Sequence, residues 1–261
     1  MQGPYERQLG LLLAAVLGSL AGHPAPAQDE SQSSQTRHKL FPIEPKAYLL
    51  GHFRPDTTPD FVRLSPTLTS DPSAYLRSAA AAAVAELVQE AAGDGVRLVV
   101  ISATRSFQGQ RMIWDSKFTG ERLAVGRNLA HDYPDTTARC LAILQYSSAP
   151  GTSRHHWGTD LDFNRTDRDY WRGGEGLAAL TWLERHAARF GFVMAYPPDR
   201  GHGYAYEPWH WSYQPMARPL LRNYYHQLVG PDDIAGFAGA GAVRKLKWKE
   251  WYVYGVNEVL K

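Results

Sequence analysis

Two short segments constrain this chain more than anything else in it. They are Ser153-Arg154-His155-His156-Trp157-Gly158-Thr159-Asp160-Leu161-Asp162-Phe163 and Glu207-Pro208-Trp209-His210-Trp211. Together they hold imidazoles, more than one carboxylate and a glycine where a tight turn would be needed. A catalytic zinc centre needs three protein ligands, one open position and an acid that stands close without binding the metal. Any fold that uses both segments for such a centre must bring side chains far apart along the polymer to one point.

Local geometry narrows the options. His155 and Asp162 are seven residues apart with Gly158 between them, which lets both side chains converge. Leu161-Asp162-Phe163 reads as a short strand that turns Asp162 away from both neighbours. Trp209–Tyr213 reads as a second strand. Glu207 lies three residues before His210, and in a straight strand those two would face opposite sides. Glu207 therefore belongs in a turn ahead of the strand, where Pro208 favours a bend. Asp160 can act as the partner that holds an imidazole in place. The Ser153 hydroxyl can either meet a substrate or stabilise the local turn. Upstream, Val96–Ile101 is β-branched and apolar, a strand whose end delivers Ser102-Ala103-Thr104-Arg105-Ser106-Phe107 to a helix over Gln108–Phe118. The Arg105 guanidinium offers a fork of donors suited to a carboxylate.

The pattern Ser-x-His-x-x-Gly-x-x-x-Asp followed by Glu-x-Trp-His resembles the VanY-type zinc D,D-carboxypeptidases and dipeptidases of the peptidase M15 group. Ser102-Ala103-Thr104-Arg105-Ser106 with Gln110 resembles the S-G-Y-R-S-x-x-x-Q element of the same peptidases, with Ala103 and Thr104 in place of Gly and Tyr. Where this chain has Asp160, that family more often has a small residue. The resemblance implies that His155, Asp162 and His210 bind Zn2+ and that Glu207 is the catalytic base. It implies that Arg105 contacts the substrate's peptide carbonyl or terminal carboxylate and that Gln110 supports the pocket. His202, in Gly201-His202-Gly203-Tyr204, is the alternative ligand. His131, His156, His186 and His226 read as surface or core residues.

By the same resemblance the fold is α+β, a small and mainly antiparallel sheet flanked by helices with zinc at one sheet face. It is the fold shared by D-Ala-D-Ala metallopeptidases and hedgehog signalling domains. The implied activity is removal of a terminal D-alanine from peptidoglycan stem peptides. Another cut (L,D-carboxypeptidase, dipeptidase or endopeptidase) and a non-catalytic wall-binding module are the alternatives. An intact Glu207 argues against the last, because a structural metal site has no use for a base.

Composition bounds the rest. The 261 residues carry a net charge of +2 and 44% hydrophobic residues, which fits a globular domain and gives no case for a nucleic-acid partner. Cys140 is the single cysteine, so no internal disulfide or four-cysteine metal site is possible, and it reads as a buried, inert thiol. Leu9–Gly22 is apolar but too short to span a bilayer comfortably, and Ala25-Pro26-Ala27 supplies a cleavage signature. Residues 1–27 are thus expected to be a secretory signal peptide, with export to the periplasm or beyond and no membrane span after cleavage. Residues 28–39 read as a flexible linker, 40–230 as the zinc peptidase domain and 231–261 as a C-terminal extension packed on it, in a monomer. Between Ala47 and Leu64 the turn residues predict irregular structure with a short strand near Phe61–Leu64. Asp71-Pro72 is read as opening an alanine-rich helix that stops at Gly93. Further helices are expected over 136–146, Gly176–Phe190 and Ala217–Leu228, with a strand at Phe192–Tyr196.

Overall fold

The computed structural model describes residues 40–124 and 126–261; the expected leader and linker lie outside the described residues. Among the described residues six short strands form two antiparallel sheets. β1 (Phe61–Arg63) pairs with β2 (Tyr75–Arg77). The second sheet has the order β3-β4-β6-β5, from Val100–Ser102, Asp160–Phe163, His210–Tyr213 and Phe192–Met194. The α+β architecture with a small antiparallel sheet is the one expected.

The register of the second sheet decides where polarity goes. Asp162 lies opposite His210, and Asp160 opposite Ser212. Because side chains alternate across a strand, these four share one face. Leu161, Phe163 and Trp211 take the other face and are buried against Ala80, Val84 and Leu87 of helix α2 (Ser78–Gly93) and Leu183 of helix α6 (Gly174–His186). A second apolar cluster gathers α1 (Pro45–Leu50), α3 (Phe107–Thr119), α5 (Thr136–Ile143) and α7 (Gln214–Pro219, continued through Tyr225). A short α4 (Leu129–Asp132) follows α3, its first amides accepted by the Asn128 side chain. Val243, Trp248, Tyr252, Val256 and Leu260, all beyond residue 230, are buried in that second cluster. Cys140 is there too, its thiol pushed up to about 11 by burial. Among the described residues no helix is long and apolar enough to cross a membrane.

Three local expectations are corrected. Asp71 does not open a helix; its carboxylate accepts from the Ser73 amide at 2.8 Å and closes a turn. Tyr75–Arg77 is then drawn into the β1 hairpin, and the helix begins at Ser78. Pairing with a distant strand overrides the local cap signal here. Residues 45–50 are helical, not irregular, because Glu44 accepts from the Lys46 and Ala47 amides and Pro45 suits the first turn. The expected strand over Val96–Ile101 ladders only at Val100–Ser102, since its partner β4 is four residues long and Asn164 takes over the Val99 amide at 2.8 Å.

Candidate active site

Sheet and turn bring the predicted residues to one point. Arg154–Trp157 forms a single 3-10 turn that ends at Gly158 in the left-handed region, φ +67°. A Cβ there would fall on the Phe61 ring, so glycine is required both by backbone and by space. The turn is clamped to the segment that follows β3. The Arg105 amide donates to the His155 carbonyl at 3.1 Å, His155 Nδ1 faces the Ala103 carbonyl at 2.8 Å, and His156 Nδ1 faces the Arg105 carbonyl at 2.7 Å. With its Nδ1–H donated to a carbonyl, His155 presents Nε2 as a free acceptor.

The buried His155 Nε2 and Asp162 Oδ1 have no hydrogen-bond partner, and the ligand atoms of His155, Asp162 and His210 lie within 4.8 Å of one another. His155 Nε2 is 3.5 Å from Asp162 Oδ2, and His210 Nδ1 is 3.3 Å from Asp162 Oδ1. Metal–ligand lengths of about 2.0–2.1 Å in a tetrahedron imply ligand–ligand edges of about 3.3–3.4 Å. Both contacts lie near that edge, each through a different Asp162 oxygen, so the donor set suits a small divalent ion. Glu207 Oε2 stands 3.4 Å from His210 Nδ1. As the sequence required, Glu207 sits in a turn: its amide donates to the Tyr196 carbonyl at 3.1 Å and the His210 amide donates back to the Glu207 carbonyl at 3.2 Å.

Asp160 holds the other edge of His210. Its Oδ2 faces His210 Nε2 at 3.0 Å and accepts from Arg154 Nε at 2.8 Å. Its Oδ1 accepts from Thr159 Oγ1 at 2.7 Å and Ser212 Oγ at 2.8 Å. An ionised carboxylate only accepts, so His210 carries its proton on Nε2 and turns Nδ1 toward Asp162. Burial acts to raise Asp160 and Asp162, but Arg154 and the two imidazoles more than offset it and hold both carboxyls below the ordinary range. His155 is lowered to about 4, by burial first and by Arg105 second. Burial acts to lower His210 as well, yet the facing Asp160, Asp162 and Glu207 carboxylates raise it well above its usual value. Glu207 is raised by burial, with His210 acting against the shift.

Arg105 reaches Asp162 Oδ2 at 3.6 Å and donates to Gln110 Oε1 at 2.8 Å through Nη1, while its buried Nε has no partner. Gln110 is fully buried and donates to the Ser148 carbonyl at 2.7 Å, so it holds Arg105 from behind. Ser153 is buried with an unpartnered hydroxyl and caps no amide of its turn. The His202 ring packs 6.1 Å from Trp251 and does not join the cluster. A cleft of about 550 Å³ opens over the cluster and is lined by Arg105, His155, Asp162, Tyr196, Glu207 and His210 among others.

The sequence reading overlooked Arg154, Ser212 and Lys117. Ser212 follows His210 by two, the spacing that keeps a strand residue on the same face. Lys117 follows Gln110 by seven and Ile113 by four, the spacing of one helix face. Arg154 had no such signal, because its pairing with Asp160 depends on how the turn folds back.

A sequence model of the family described as VanY, D-alanyl-D-alanine carboxypeptidase, matches residues 73–216, more than half of the chain. The chain belongs to the VanY family. A D-alanyl-D-alanine carboxypeptidase of Enterococcus faecalis is 34% identical over 144 residues, 54% of this chain and 48% of that protein. One of Enterococcus faecium is 27% identical over 146 residues, 55% of this chain and 39% of that protein. The chain thus spans about half the length, or less, of these curated VanY-like relatives. Among solved structures, a vancomycin-resistance D,D-pentapeptidase VanY in complex with Zn(II) is 25% identical, with a TM-score of 0.45 over 69% of this chain and 89% of that one. The matched VanY segment contains β2 to β6 and all the residues of the cluster, and it leaves out α1 and the buried C-terminal residues.

Proposed function

We propose that this VanY-family chain is a zinc peptidase that removes a terminal D-alanine from peptidoglycan stem peptides, acting outside the cytoplasm after export. The reading rests on one observation: two imidazoles and a carboxylate converge, their ligand atoms within 4.8 Å of one another, beside a carboxylate that no ligand role requires. His155 Nε2, Asp162 and His210 Nδ1 would hold the metal. Zinc bound there supplies a Lewis acid and lowers the pKa of a coordinated water from about 15.7 toward about 7.

The chain's own groups do the rest. The Glu207 carboxylate takes the proton of the attacking water and returns it to the leaving amine, so that one C–N bond is replaced by one C–O bond and the proton count balances. Burial favours its protonated form, which suits the return step. Arg105 lines the cleft with Nη1 held by Gln110, a positioned charge for the substrate's carbonyl or terminal carboxylate. Tyr196 packs against His210 at 4.7 Å between ring centres, and burial keeps its phenol neutral, a donor at any working pH.

Mass spectrometry of products from defined muropeptides tests the proposal. Zinc-loaded protein is expected to release one D-alanine from a pentapeptide stem, and E207A to keep zinc while losing turnover by about 10²–10⁴-fold. Release from tetrapeptide stems alone would assign the L,D cut instead. Full activity in E207A, or no turnover of any stem peptide by zinc-loaded protein, would reject the reading.

A further inference from the structure

One wall of the cleft carries cations that have no carboxylate at ion-pair distance among the described residues, although Asp167 and Glu207 line the same cleft. A run of contacts leads away from the metal cluster. Arg105 reaches Asp162, Gln110 receives Arg105, and Gln110 donates to the carbonyl of Ser148. Lys117, on the same face of α3, donates to the hydroxyl of the adjacent Ser147. Arg122 follows just past the end of α3, its amide donating to the Ser116 carbonyl at 2.9 Å. Arg168 joins the same rim, its guanidinium 5.7 Å over the ring of Tyr146, the neighbour of Ser147. All of Lys117, Arg122 and Arg168 line the cleft, and none has a carboxylate within 4.0 Å among the described residues.

Such an arrangement costs the folded protein. Arg122 and Arg168 are exposed, but Lys117 is half-buried, and a cation partly withdrawn from water without a counter-charge in contact is unfavourable. Burial, with Arg122 and Arg105 adding repulsion and Glu207 acting against them, pulls Lys117 down to about 8, so at neutral pH most molecules still carry the charge. A serine hydroxyl satisfies one donor of the ammonium and leaves two. An anionic group in the cleft would relieve the repulsion and occupy the remaining donors.

The nearer cation, Arg105, is already committed to the reacting end of the substrate. We infer that Lys117, with Arg122 and Arg168 around Ser147, forms a subsite for a second carboxylate of the substrate, one that belongs to an acidic residue on the amino side of the cleaved bond. The inference rests on the hydrolytic reading of the same cleft and narrows its substrate to acidic peptides. A leaving D-alanine has no carboxylate besides its terminal one, so the second must come from the part of the peptide that stays behind.

The test uses two peptides ending in D-Ala-D-Ala that differ only in whether one internal acidic residue bears a carboxylate or a carboxamide. Zinc-loaded full-length protein is expected to favour the carboxylate about tenfold in kcat/KM, the low end for a charge-assisted hydrogen bond at a half-exposed site. K117M is expected to shrink that ratio below about threefold with zinc content unchanged, and K117R to keep most of it. Equal kcat/KM for the two peptides, or an undiminished ratio in K117M, overturns the subsite while leaving the hydrolytic reading intact. If neither peptide is cleaved, the hydrolytic reading fails, and calorimetric binding of both peptides to zinc-loaded E207A still decides the subsite. Equal affinities reject it, and a tenfold gap lost in E207A/K117M upholds it. If K117M instead abolishes discrimination against a C-terminal amide, Lys117 reads the chain end and the second-carboxylate assignment is overturned.

Discussion

Asp160→Ala separates what the buried network does for folding from what it does for the metal. The side chains of Asp160 and Arg154 have no solvent exposure, and Asp160 accepts from Arg154, Thr159, Ser212 and His210. Removing the acid strands the Arg154 guanidinium, whose Nη1 already lacks a partner. Breaking a buried pair in this way costs about 3–5 kcal/mol. That is a large share of the roughly 5–15 kcal/mol that holds a typical domain together. R154M/D160A removes both charges and is expected to recover most of that stability, because replacing a whole buried pair with apolar side chains is often near neutral. It does not restore the acceptor for His210 Nε2. Zinc affinity of the double variant is therefore expected to stay about 10–100-fold weaker than wild type. Urea unfolding of the metal-free proteins reads the first quantity, and competition with a chromophoric chelator reads the second. Nitrogen NMR shifts of His210 add a check: the Nε2–H tautomer should dominate in zinc-loaded wild type and give way in the double variant. A double variant that binds zinc as tightly as wild type would refute the claim that Asp160 positions His210, and a D160A loss under about 1 kcal/mol would refute the claim that it compensates Arg154.

Gly158→Ala should destabilise by more than the ~1–2 kcal/mol of a left-handed residue, since the new methyl also meets Phe61, and thermal unfolding with zinc titration should show both stability and affinity falling. A variant as stable as wild type would mean that the turn between the ligands tolerates a side chain. Deleting residues 248–261 removes the buried Trp248, Tyr252, Val253, Val256 and Leu260. It also removes Asn257, which binds the Ala195 carbonyl through its amide at 2.9 Å and the Met194 carbonyl through Nδ2 at 3.1 Å. At about 1.5–3 kcal/mol per buried side chain the loss matches a domain's whole stability, so cooperative unfolding should vanish in calorimetry. Zinc should displace the proton that the surrounding carboxylates hold on His210 in the metal-free protein. Because that pKa is raised, the proton is present at neutral pH and competes with the metal more strongly as pH falls, so affinity should rise with pH. Calorimetry in buffers of different ionisation heat should record the release, and heats independent of buffer would exclude it.

Several elements were legible in the sequence for specific reasons. Strand alternation placed Asp162 on the face away from Leu161 and Phe163, and the three-residue spacing of Glu207 and His210 required the turn that Tyr196 pins. The helix expected over Gln108–Phe118 is α3, which the structure caps with the Ser106 hydroxyl, an acceptor from the Gly109 amide, and ends at Gly120. The alanine-rich helix was equally legible, but its start was not. Asp71 and Pro72 offer a cap residue and a first-turn proline, yet Tyr75–Arg77 gains more by pairing with Phe61–Arg63, and local rules cannot weigh a partner outside the segment.

Two short motifs, through their resemblance to the VanY-type peptidases, were enough to name His155, Asp162, His210 and Glu207 as one set, because each motif is written in a few neighbouring positions. The choice of His210 nitrogen, the burial of Arg154 against Asp160, the support of Arg105 by Gln110 and the unneutralised Lys117 were decided by tertiary structure alone. Each depends on distances between segments that the chain brings together only when the sheet closes, and a pairwise distance across a fold is not a property of any stretch of sequence.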